Sequence, residues 1–576
     1  MSAKSASMHV AIIKHQANGK TYVCSLLRQS YRDGAQVKHR TLANLSHLPE
    51  HVIDLIRRAL QGETFVPVSE RFHSTAATPH GHVEAVLGTI RRLGLDTLIA
   101  AKRSRRRDLV LALIAERNLF PCSKLATTRH WHSTTLAEEL DVGDATVDEV
   151  YQAMDWLGGR QTAIENQLAK RHLANHGLVL YDISSSFYTG HTCPLARHGH
   201  SRDGKKGLPI IVYGLLTDRD GRPVSVDVYA GNTADPTTVP DQVDKLRQRF
   251  GLQRVVLAGD RGMLTQTQID HLQEHPGLGW ISALRSSALR GLIEAGTLER
   301  SLFDEVNLAE IVSPDFPGER LIACYNPLLA ERRRDKRQLL LAKTAEKLTA
   351  LAQEVARRTA KPLTHTEIAL KAGKVINRWK MAKHFRLTIA DGVFRWEQRS
   401  QSIAHEARLD GIYVIRTSEP KRRLSAEDSV RSYKRLTLVE QAFRSLKGLD
   451  LMVRPIYHRV APRVRAHIFL CMLAYYVQWE MRRAWAPLLY ADEEAAAERE
   501  ERDPVAPAKP SASAQEKKQT HSTVRGETAH SFRTLLAALA TRSRTRYQLA
   551  EAPAASFTQV TDPSPLQAEA LRLLGL

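Results

Sequence analysis

Residues 178–186, LVLYDISSS, place one acidic residue, Asp182, inside an apolar run. A run of this length that is rich in Val, Leu and Ile predicts a buried β-strand. Burying a lone carboxylate is costly, so Asp182 needs a partner. A second acid, Asp260, ends the similar run RVVLAGD, and a third, Glu440, lies in a segment with helical periodicity. Three acids in this order point to a divalent metal, and the metal points to phosphoryl transfer.

The sequence after Asp182 predicts the rest of a mixed sheet. LPIIVYGLLTD and RPVSVDVYAG read as two strands joined by a hairpin turn at residues 218–221. In the helix that follows, Asp235 suits the cap and Pro236 the first turn. RVVLAGD and GWISALR are a fourth and a fifth strand. The order strand, hairpin, helix, strand, strand predicts a mixed α/β fold, as in the ribonuclease H-like fold. The apolar stripe of the helix is Val239, Val243, Leu246 and Phe250.

The remaining segments divide the 576-residue chain into several regions. Residues 32–34 form the turn of a predicted amino-terminal hairpin. Residues 328–359 form a long basic helix whose short apolar seam is expected to pack within the protein or against a second copy. The predicted regions are a small β-rich amino-terminal region (1–80), a helical, DNA-binding domain (81–175), the first part of a ribonuclease H-like core (176–285), an inserted α+β subdomain (286–410), the last part of the core with the catalytic helix (411–486), a disordered linker (490–528) and a carboxy-terminal helical tail (529–576).

The charge of the chain favours a polyanionic partner. Lys and Arg number 83 against 62 Asp and Glu, which gives a net charge of +21. Proteins with such an excess of positive charge most often bind nucleic acid, although a generally basic soluble protein has the same composition. The run KRSRRR at residues 102–107 fits either a DNA-phosphate contact or a solvated helix end.

The cysteine spacing and the apolar runs indicate in which cellular compartment the protein is expected. The five cysteines are scattered without a C-x-x-C pair, which argues against a disulfide framework or a structural zinc site. Cys193, His198 and His200 also lack the usual zinc spacing. Residues 467–481 are too short for a convincing membrane span and predict a buried helix. The start of the sequence lacks the apolar core of a signal peptide, so we expect a cytoplasmic, nucleoid-associated protein with no membrane partner.

Helical spacing predicts which residues share a helix face with Glu440. Tyr433, Glu440 and Lys447 are seven residues apart, so on one helix they share a face. The apolar stripe beside them places Glu440 at the border of the buried face, where a cleft is expected. A surface helix with ordinary charges would explain Glu440 taken alone, and the catalytic interpretation therefore depends on the whole set. The stripe is Leu436, Val439, Phe443 and Leu446.

These motifs resemble bacterial insertion-sequence transposases of the DDE type, in the group with a Y-x2-R-x3-E-x6-K signature. Tyr433, Glu440 and Lys447 match the signature, whereas Leu436 stands at its arginine position. Arg444, one turn after Glu440, is the cation predicted for that face. The resemblance covers roughly residues 178–479 and includes YDISSS, VVLAGDRGM and VEQAFRSLKGLDLMVRPIYHR.

The resemblance implies a two-metal, in-line mechanism. Asp182, Asp260 and Glu440 are expected to hold Mg²⁺, with Mn²⁺ as a substitute, while Tyr433 and Lys447 contact DNA phosphates. The expected reaction frees a 3′-OH at a transposon end, at its terminal inverted repeat, and joins it to target DNA. Double-stranded DNA is then the partner, and joining two ends at once predicts a homodimer on DNA. The alternatives are a metal-dependent nuclease without strand transfer and a non-catalytic DNA-binding protein derived from a transposase.

Five further residues are predicted to contact DNA because they are basic and close in sequence to the acids or the catalytic helix. Arg261 directly follows Asp260 and could instead pair with an acid. The others lie on a loop after the first strand or in RPIYHRVAPRVRAH. The set is His200, Arg202, Arg261, Arg454 and His458.

Overall fold

A computed structural model describes residues 7–17, 20–65, 71–205, 207–304, 306–549 and 552–576. The chain forms two compact units, Met1–Ala77 with Arg544–Val560 and Thr78–Ser543 with Thr561–Leu576. The strands are β1 Ser7–Ala17, β2 Lys20–Asp33, β3 Gln36–Asn44, β4 Phe72–Pro79, β5 Gly177–Phe187, β6 Ile210–Thr217, β7 Pro223–Ala230, β8 Val255–Ala258, β9 Leu278–Ala283, β10 Leu308–Ile311, β11 Arg320–Tyr325, β12 Phe385–Ala390, β13 Val393–Gln398, β14 Ile412–Thr417, β15 Ser543–Leu549 and β16 Ala552–Val560.

The smaller unit contains the helix α1, Glu50–Leu60. The other described helices belong to the larger unit. The others are α2 Gly81–Arg92, α3 Leu95–Ile99, α4 Arg105–Leu119, α5 Lys124–His130, α6 Leu136–Glu139, α7 Val147–His172, α8 Val239–Asp244, α9 Gln266–Gln273, α10 Ser286–Glu294, α11 Pro327–Arg357, α12 His365–Arg378, α13 Ser400–Ala407, α14 Ala426–Lys434, α15 Leu436–Lys447, α16 Ala461–Ala484, α17 Ala495–Glu501, α18 Ala512–Thr520, α19 Phe532–Ala540 and α20 Pro565–Leu573.

The central sheet of the larger unit has the predicted topology. Its eight strands run in the order β10-β11-β14-β9-β8-β5-β6-β7. β5, β6 and β7 form an antiparallel meander, while β8 lies parallel to β5 on its other side and β9 parallel to β8. This arrangement of the first five strands is the ribonuclease H-like one, so the predicted fold class is confirmed.

Apolar side chains explain why β6 lies inside this sheet. All eight of its residues, IIVYGLLT, are buried, as expected for a strand covered on both faces. Helices α4, α7 and α16 pack on one another, and α7 and α16 also pack on β7. The predicted buried helix at residues 467–481 is the middle of α16, whose side chains from Ile468 to Val477 are nearly all inaccessible to water. Among the residues described, no helix combines the length and apolar character that a membrane span needs.

The predicted helix after the hairpin is present, but its start differs. Residues 235–238 form a 3₁₀ turn, and α8 begins only at Val239. Asp235 does not cap the helix, because its carboxylate accepts a hydrogen bond from the Arg202 guanidinium instead. The apolar stripe is confirmed, since Val239, Val243 and Leu246 are fully buried.

The predicted insertion at residues 286–410 is smaller than the sequence indicated. β10 and β11 belong to the central sheet, where β11 pairs with β14. One hydrophobic cluster of the segment joins α10 to β11 and β14. Another forms around α11, α12 and the hairpin β12–β13, and includes Leu348 and Ile368. The apolar seam of α11 faces this core, so it packs within the protein.

The predicted disordered linker at residues 490–528 is instead ordered and contains α17 and α18. Its composition lacks large apolar groups, yet its backbone is held by side chains from elsewhere. Lys434 Nζ donates to Val505 O at 3.2 Å, and Asn326 Nδ2 donates to the same oxygen at 3.2 Å. Lys517 is 2% exposed and pairs with Glu493. Hydrogen bonds to main-chain carbonyls thus replace the apolar contacts that a composition argument requires.

The smaller unit is rich in strands, as predicted. β1, β2 and β3 form an antiparallel sheet whose second hairpin turns at Gly34, where φ is +62°. The tail beyond residue 529 is less helical than predicted, because β15 and β16 lie between α19 and α20, where β15 pairs with both β16 and β4. Ser564 and Gln567 form a capping box at the start of α20.

Candidate active site

The strand register brings Asp182 and Asp260 to the same level of the sheet. Leu180 of β5 is paired with Ala258 of the parallel strand β8. Each acid lies two residues farther along its chain, and residues two apart in a strand point to the same face. Asp182 is partly buried within β5, whereas Asp260 is exposed just beyond the end of β8. The two carboxylates therefore lie side by side at the carboxyl edge of β8.

Electrostatics couple Asp182 to both other predicted acids. Burial, together with the negative charges of Asp260 and Glu440, raises the pKa of the Asp182 carboxyl to about 7. The Ile183 N–H, which donates to Asp182 Oδ1 at 2.8 Å, and the nearby Arg202 act in the opposite direction. The surrounding protein therefore does not compensate the charge that Asp182 carries when it is ionised.

Glu440 reaches the site from a helix that is interrupted, not from the single helix that its spacing predicted. α14 ends at Lys434 and α15 starts at Leu436, with Arg435 between them. The Arg435 dihedral angles, φ −64° and ψ −16°, remain close to helical, so α15 continues in nearly the same direction. Glu440 is exposed on α15, which packs against β5.

Arg435 does not replace the missing signature arginine. It is 5% exposed, and its guanidinium donates to Arg219 O at 3.2 Å and to Asp220 Oδ1 at 3.3 Å. It also pairs with Glu500. Because these partners satisfy its charge, Arg435 has a structural role in joining the β6–β7 turn to the segment around α17.

Tyr433 and Lys447 face the same two strands as Glu440. The Tyr433 hydroxyl donates to Asp260 Oδ1 at 3.4 Å, and burial together with Asp260 raises the pKa of this phenol above its ordinary value. Lys447 Nζ donates to Ser184 Oγ at 2.8 Å, two residues along β5 from Asp182. The face predicted from the seven-residue spacing is therefore the face turned to the acids.

Asp203 is a residue of this region that sequence reasoning missed. Its side chain is 2% exposed, and its Oδ1 accepts from Lys447 Nζ at 3.0 Å and pairs with Arg454 Nη1 at 2.7 Å. Its Oδ2 accepts from Phe187 N at 3.0 Å. It stands in the polar sequence SRDGKK, where an aspartate ordinarily signals a turn, so the sequence contains no signal that it is buried.

The other basic residues predicted to contact DNA lie in different environments. Arg202 N donates to Ser185 Oγ at 3.1 Å, and its guanidinium pairs with Asp235. His200 and Arg261 are exposed near this edge of the sheet. Arg454 is partly exposed beside Asp203. These four positions remain predicted DNA contacts.

One prediction stays open and one needs correction. Arg444 is exposed and lines a surface depression with Leu438, Asp450 and Arg482. Its role as the cation of the Glu440 face stays a prediction. His458 is 8% exposed, and burial lowers its pKa to about 4, so at neutral pH it is uncharged and largely inaccessible to DNA.

The donor chemistry of the acids fits a hard divalent cation. Asp182, Asp260 and Glu440 offer only carboxylate oxygens, the ligands that Mg²⁺ and Mn²⁺ prefer. A divalent cation would also neutralise the uncompensated charge of Asp182. Within the described ranges, however, no group of three His, Cys, Asp or Glu is placed closely enough to hold a metal ion. The residues thus fit the cation in kind, and ligation would require the carboxylates to draw together.

The ribonuclease H-like sheet and the three predicted acids can be compared with known families. Residues 184–477 match the transposase DDE domain, and residues 10–67 match the amino-terminal domain of IS1634 family transposases. The chain belongs to the family of DDE transposases. It is a transposase, and its family generally depends on a divalent metal.

Two further comparisons add little. A solved structure, "Cryo-EM structure of piggyBac transposase synaptic complex with hairpin DNA", is 11% identical and has a TM-score of 0.34. The alignment covers 80% of this chain and 76% of that one. A TM-score this low supports no conclusion. A search of curated proteins gave no significant match.

Proposed function

We propose that this transposase binds the terminal inverted repeats of a bacterial insertion sequence, cuts the DNA at their ends and joins the freed 3′-OH groups to target DNA. The observation that supports this most directly is the strand register, which brings Asp182 and Asp260 to one edge of the sheet. Glu440 lies on α15, which packs against the strand that carries Asp182.

The residues around the acids have separate roles in this proposal. Asp182, Asp260 and Glu440 would hold Mg²⁺ or Mn²⁺, which when bound stabilises charge on the entering and leaving oxygens of the phosphate. Tyr433 orients the Asp260 carboxylate through its hydroxyl. Lys447, held beside Ser184, is placed to donate to a DNA phosphate near the scissile bond.

DNA binding follows from charge and exposure. The net charge of +21 favours a polyanion at long range, and phosphate contacts fix the register of the duplex. His200 and Arg261 are exposed, and Arg261 directly follows Asp260. We assign both to phosphates near the cleavage point. Because two ends must be joined in one event, we further propose a homodimer on DNA.

A strand-transfer assay tests the proposal. The substrates are labelled DNA from either end of the element that encodes the chain, uncut to follow cleavage and precut to follow joining, with supercoiled plasmid as target and Mg²⁺ in the buffer. We expect joined product from the wild type. Asp182→Asn, Asp260→Asn and Glu440→Gln should each lose cleavage and joining by several orders of magnitude while still binding the ends.

Glu397→Gln is the matched control, since it removes the charge of an exposed acid on β13 and should leave the reaction unchanged. Cleavage that survives Asp260→Asn would refute the site assignment. Free hydrolysis without joined product would establish a nuclease instead of a transposase that completes strand transfer. Binding without either reaction would indicate a protein that has kept only DNA recognition.

A further inference from the structure

A cavity lined by apolar and basic side chains lies beside the catalytic region. It has a volume of about 370 Å³ and is enclosed by α4, α5, α16 and the loop that follows α15. Three basic residues, Arg117, Lys124 and Arg454, contribute to its lining, and Tyr457 at its edge is 68% exposed. All of these residues belong to the larger unit. The cavity is within the size range of sites that hold small ligands.

Lys124 is an unusual wall residue because it is buried without a partner. It is 4% exposed, and within the described part of the chain it makes neither a hydrogen bond nor an ion pair. Burial and the positive charge of Arg117 lower its pKa to about 7. A buried ammonium without a counter-charge is costly, and proteins normally pair such a group. The cavity is the space in which a partner can reach it.

The groups around Lys124 leave the cavity positive. The Arg117 guanidinium donates to three main-chain carbonyls, those of Cys122 at 3.0 Å, Met452 at 3.2 Å and Leu451 at 3.3 Å. These oxygens satisfy its donors but bring no full negative charge. The neighbouring Glu116 does not supply one either, because burial raises its pKa to about 8 and keeps it protonated at neutral pH.

The pKa of His458 is lowered by burial and by the same positive charges. The His458 ring lies between Tyr151 of α7 and His467 of α16. Burial, together with the charges of Lys124, Arg463 and Arg117, lowers its pKa to about 4. His467, deeper in the same wall, has its pKa lowered by burial and then by the same two cations, Lys124 and Arg117. Neutral imidazoles beside an unpaired ammonium and a guanidinium make a site that an anion would complete.

The cavity is connected to the catalytic region through one carboxylate. Arg454 lines the cavity and pairs with Asp203, and Asp203 also pairs with Lys447. Lys447 in turn contacts Ser184, two residues along β5 from Asp182. The chain of contacts from the cavity to the lysine that faces the acids thus runs through Arg454 and Asp203.

We propose that this cavity is a phosphate-binding site that holds a phosphate group of a DNA strand, with Lys124 as its principal ligand and Arg117 and Arg454 beside it. Phosphate supplies the compact negative charge that the cavity lacks, and Tyr457 at the edge offers a surface for the adjoining nucleotide. The anion site itself stands on Lys124 and its surroundings, whereas the assignment of the phosphate to DNA rests on the proposed function.

Calorimetric titration with inorganic phosphate at constant ionic strength tests the anion site. We expect the wild type to bind and Lys124→Met to bind at least tenfold more weakly. Lys374→Met, which removes an exposed lysine from α12, is the matched control and should bind like the wild type. Without phosphate, Lys124→Met should melt at the same temperature as the wild type or above it, because an uncompensated buried charge has been removed.

Two results would overturn the anion site. One is equal phosphate affinity in the wild type and Lys124→Met. The other is a wild type that shows no phosphate binding at all. A lower melting temperature for Lys124→Met together with unchanged phosphate affinity would show that Lys124 is merely structural.

Fluorescence anisotropy with oligonucleotides identifies the source of the phosphate. Single strands with a 5′-phosphate or a 5′-hydroxyl are compared on the wild type and Lys124→Met. An advantage of the 5′-phosphate that disappears in Lys124→Met supports a terminal phosphate, and an equal loss for both strands supports an internal one. If Lys124→Met loses inorganic phosphate binding but binds both oligonucleotides like the wild type, the DNA assignment is refuted and the anion site stands. Phosphate binding in a protein that fails every DNA assay would refute the proposed function and not this site.

Discussion

Replacing Asp203 by alanine should destabilise the larger unit measurably. The Asp203 carboxylate is 2% exposed and interacts with Lys447, Arg454 and the Phe187 N–H. Removing one partner of a buried ion pair costs about 3–5 kcal/mol, because the remaining charge stays desolvated. In a unit of several hundred residues, about 1 kcal/mol shifts the melting temperature by about 1–2 °C. We therefore expect Asp203→Ala to melt about 3–10 °C below the wild type.

Thermal unfolding followed by intrinsic fluorescence measures this shift, and two variants refine it. Asp203→Asn keeps the shape and the acceptor for Phe187 N but loses the charge, so its melting temperature should lie between those of Asp203→Ala and the wild type. In Asp203→Ala with Lys447→Met, one of the two stranded cations is gone, and the combined loss should be smaller than the sum by about 1–3 kcal/mol. A shift of under 1 °C for Asp203→Ala, or strict additivity with Lys447→Met, would refute the shared ion pair.

Three further outcomes are expected. Burial raises the Glu116 pKa from 4.5 to about 8, so ionisation of Glu116 destabilises the folded state increasingly as the pH rises through that interval. Glu116→Gln should therefore be more stable than the wild type, and this difference in the free energy of unfolding should grow by about 3 kcal/mol between pH 6 and pH 9. Denaturant unfolding measures it. Tyr433→Phe removes the hydrogen bond to Asp260 and should slow DNA cleavage by less than tenfold, with an unchanged melting temperature as the control for folding. DNA affinity measured against salt should fall with a slope of about −0.9 per phosphate contacted, and a flat response would contradict the role of the basic surface.

The sheet topology could be predicted because each of its signals is local. The runs that became β5, β6 and β7 are apolar, and residues 218–221 form a turn in which Asp218 Oδ1 accepts from Asp220 N and Arg222 N, both at 2.9 Å. The strand order then followed from the position of the helix between the hairpin and the fourth strand. Local patterns of this kind determine strand, turn and helix without knowledge of distant contacts.

Membership of β10 and β11 in the same sheet could not be predicted, because it depends on pairing with β14, about ninety residues away along the chain from β11. The ordered segment at residues 490–528 was missed for a related reason. Its contacts are made by the side chains of Lys434, Arg431 and Asn326 to its main-chain carbonyls. Main-chain acceptors are the same in every sequence, so composition alone cannot show which of them will find a donor.

In the catalytic region, the seven-residue spacing gave the direction of each side chain but not its partner. Lys447 faces the strands as predicted, yet in the DNA-free protein its ammonium is bound to Asp203. A DNA phosphate would therefore have to draw Lys447 away from a buried carboxylate, which on its own would be costly. Arg454 removes that obstacle, because it pairs with the same Asp203 oxygen at 2.7 Å. Two cations on one carboxylate leave one of them free to change partner, and Lys447, with Ser184 beside it, is the one that faces the acids.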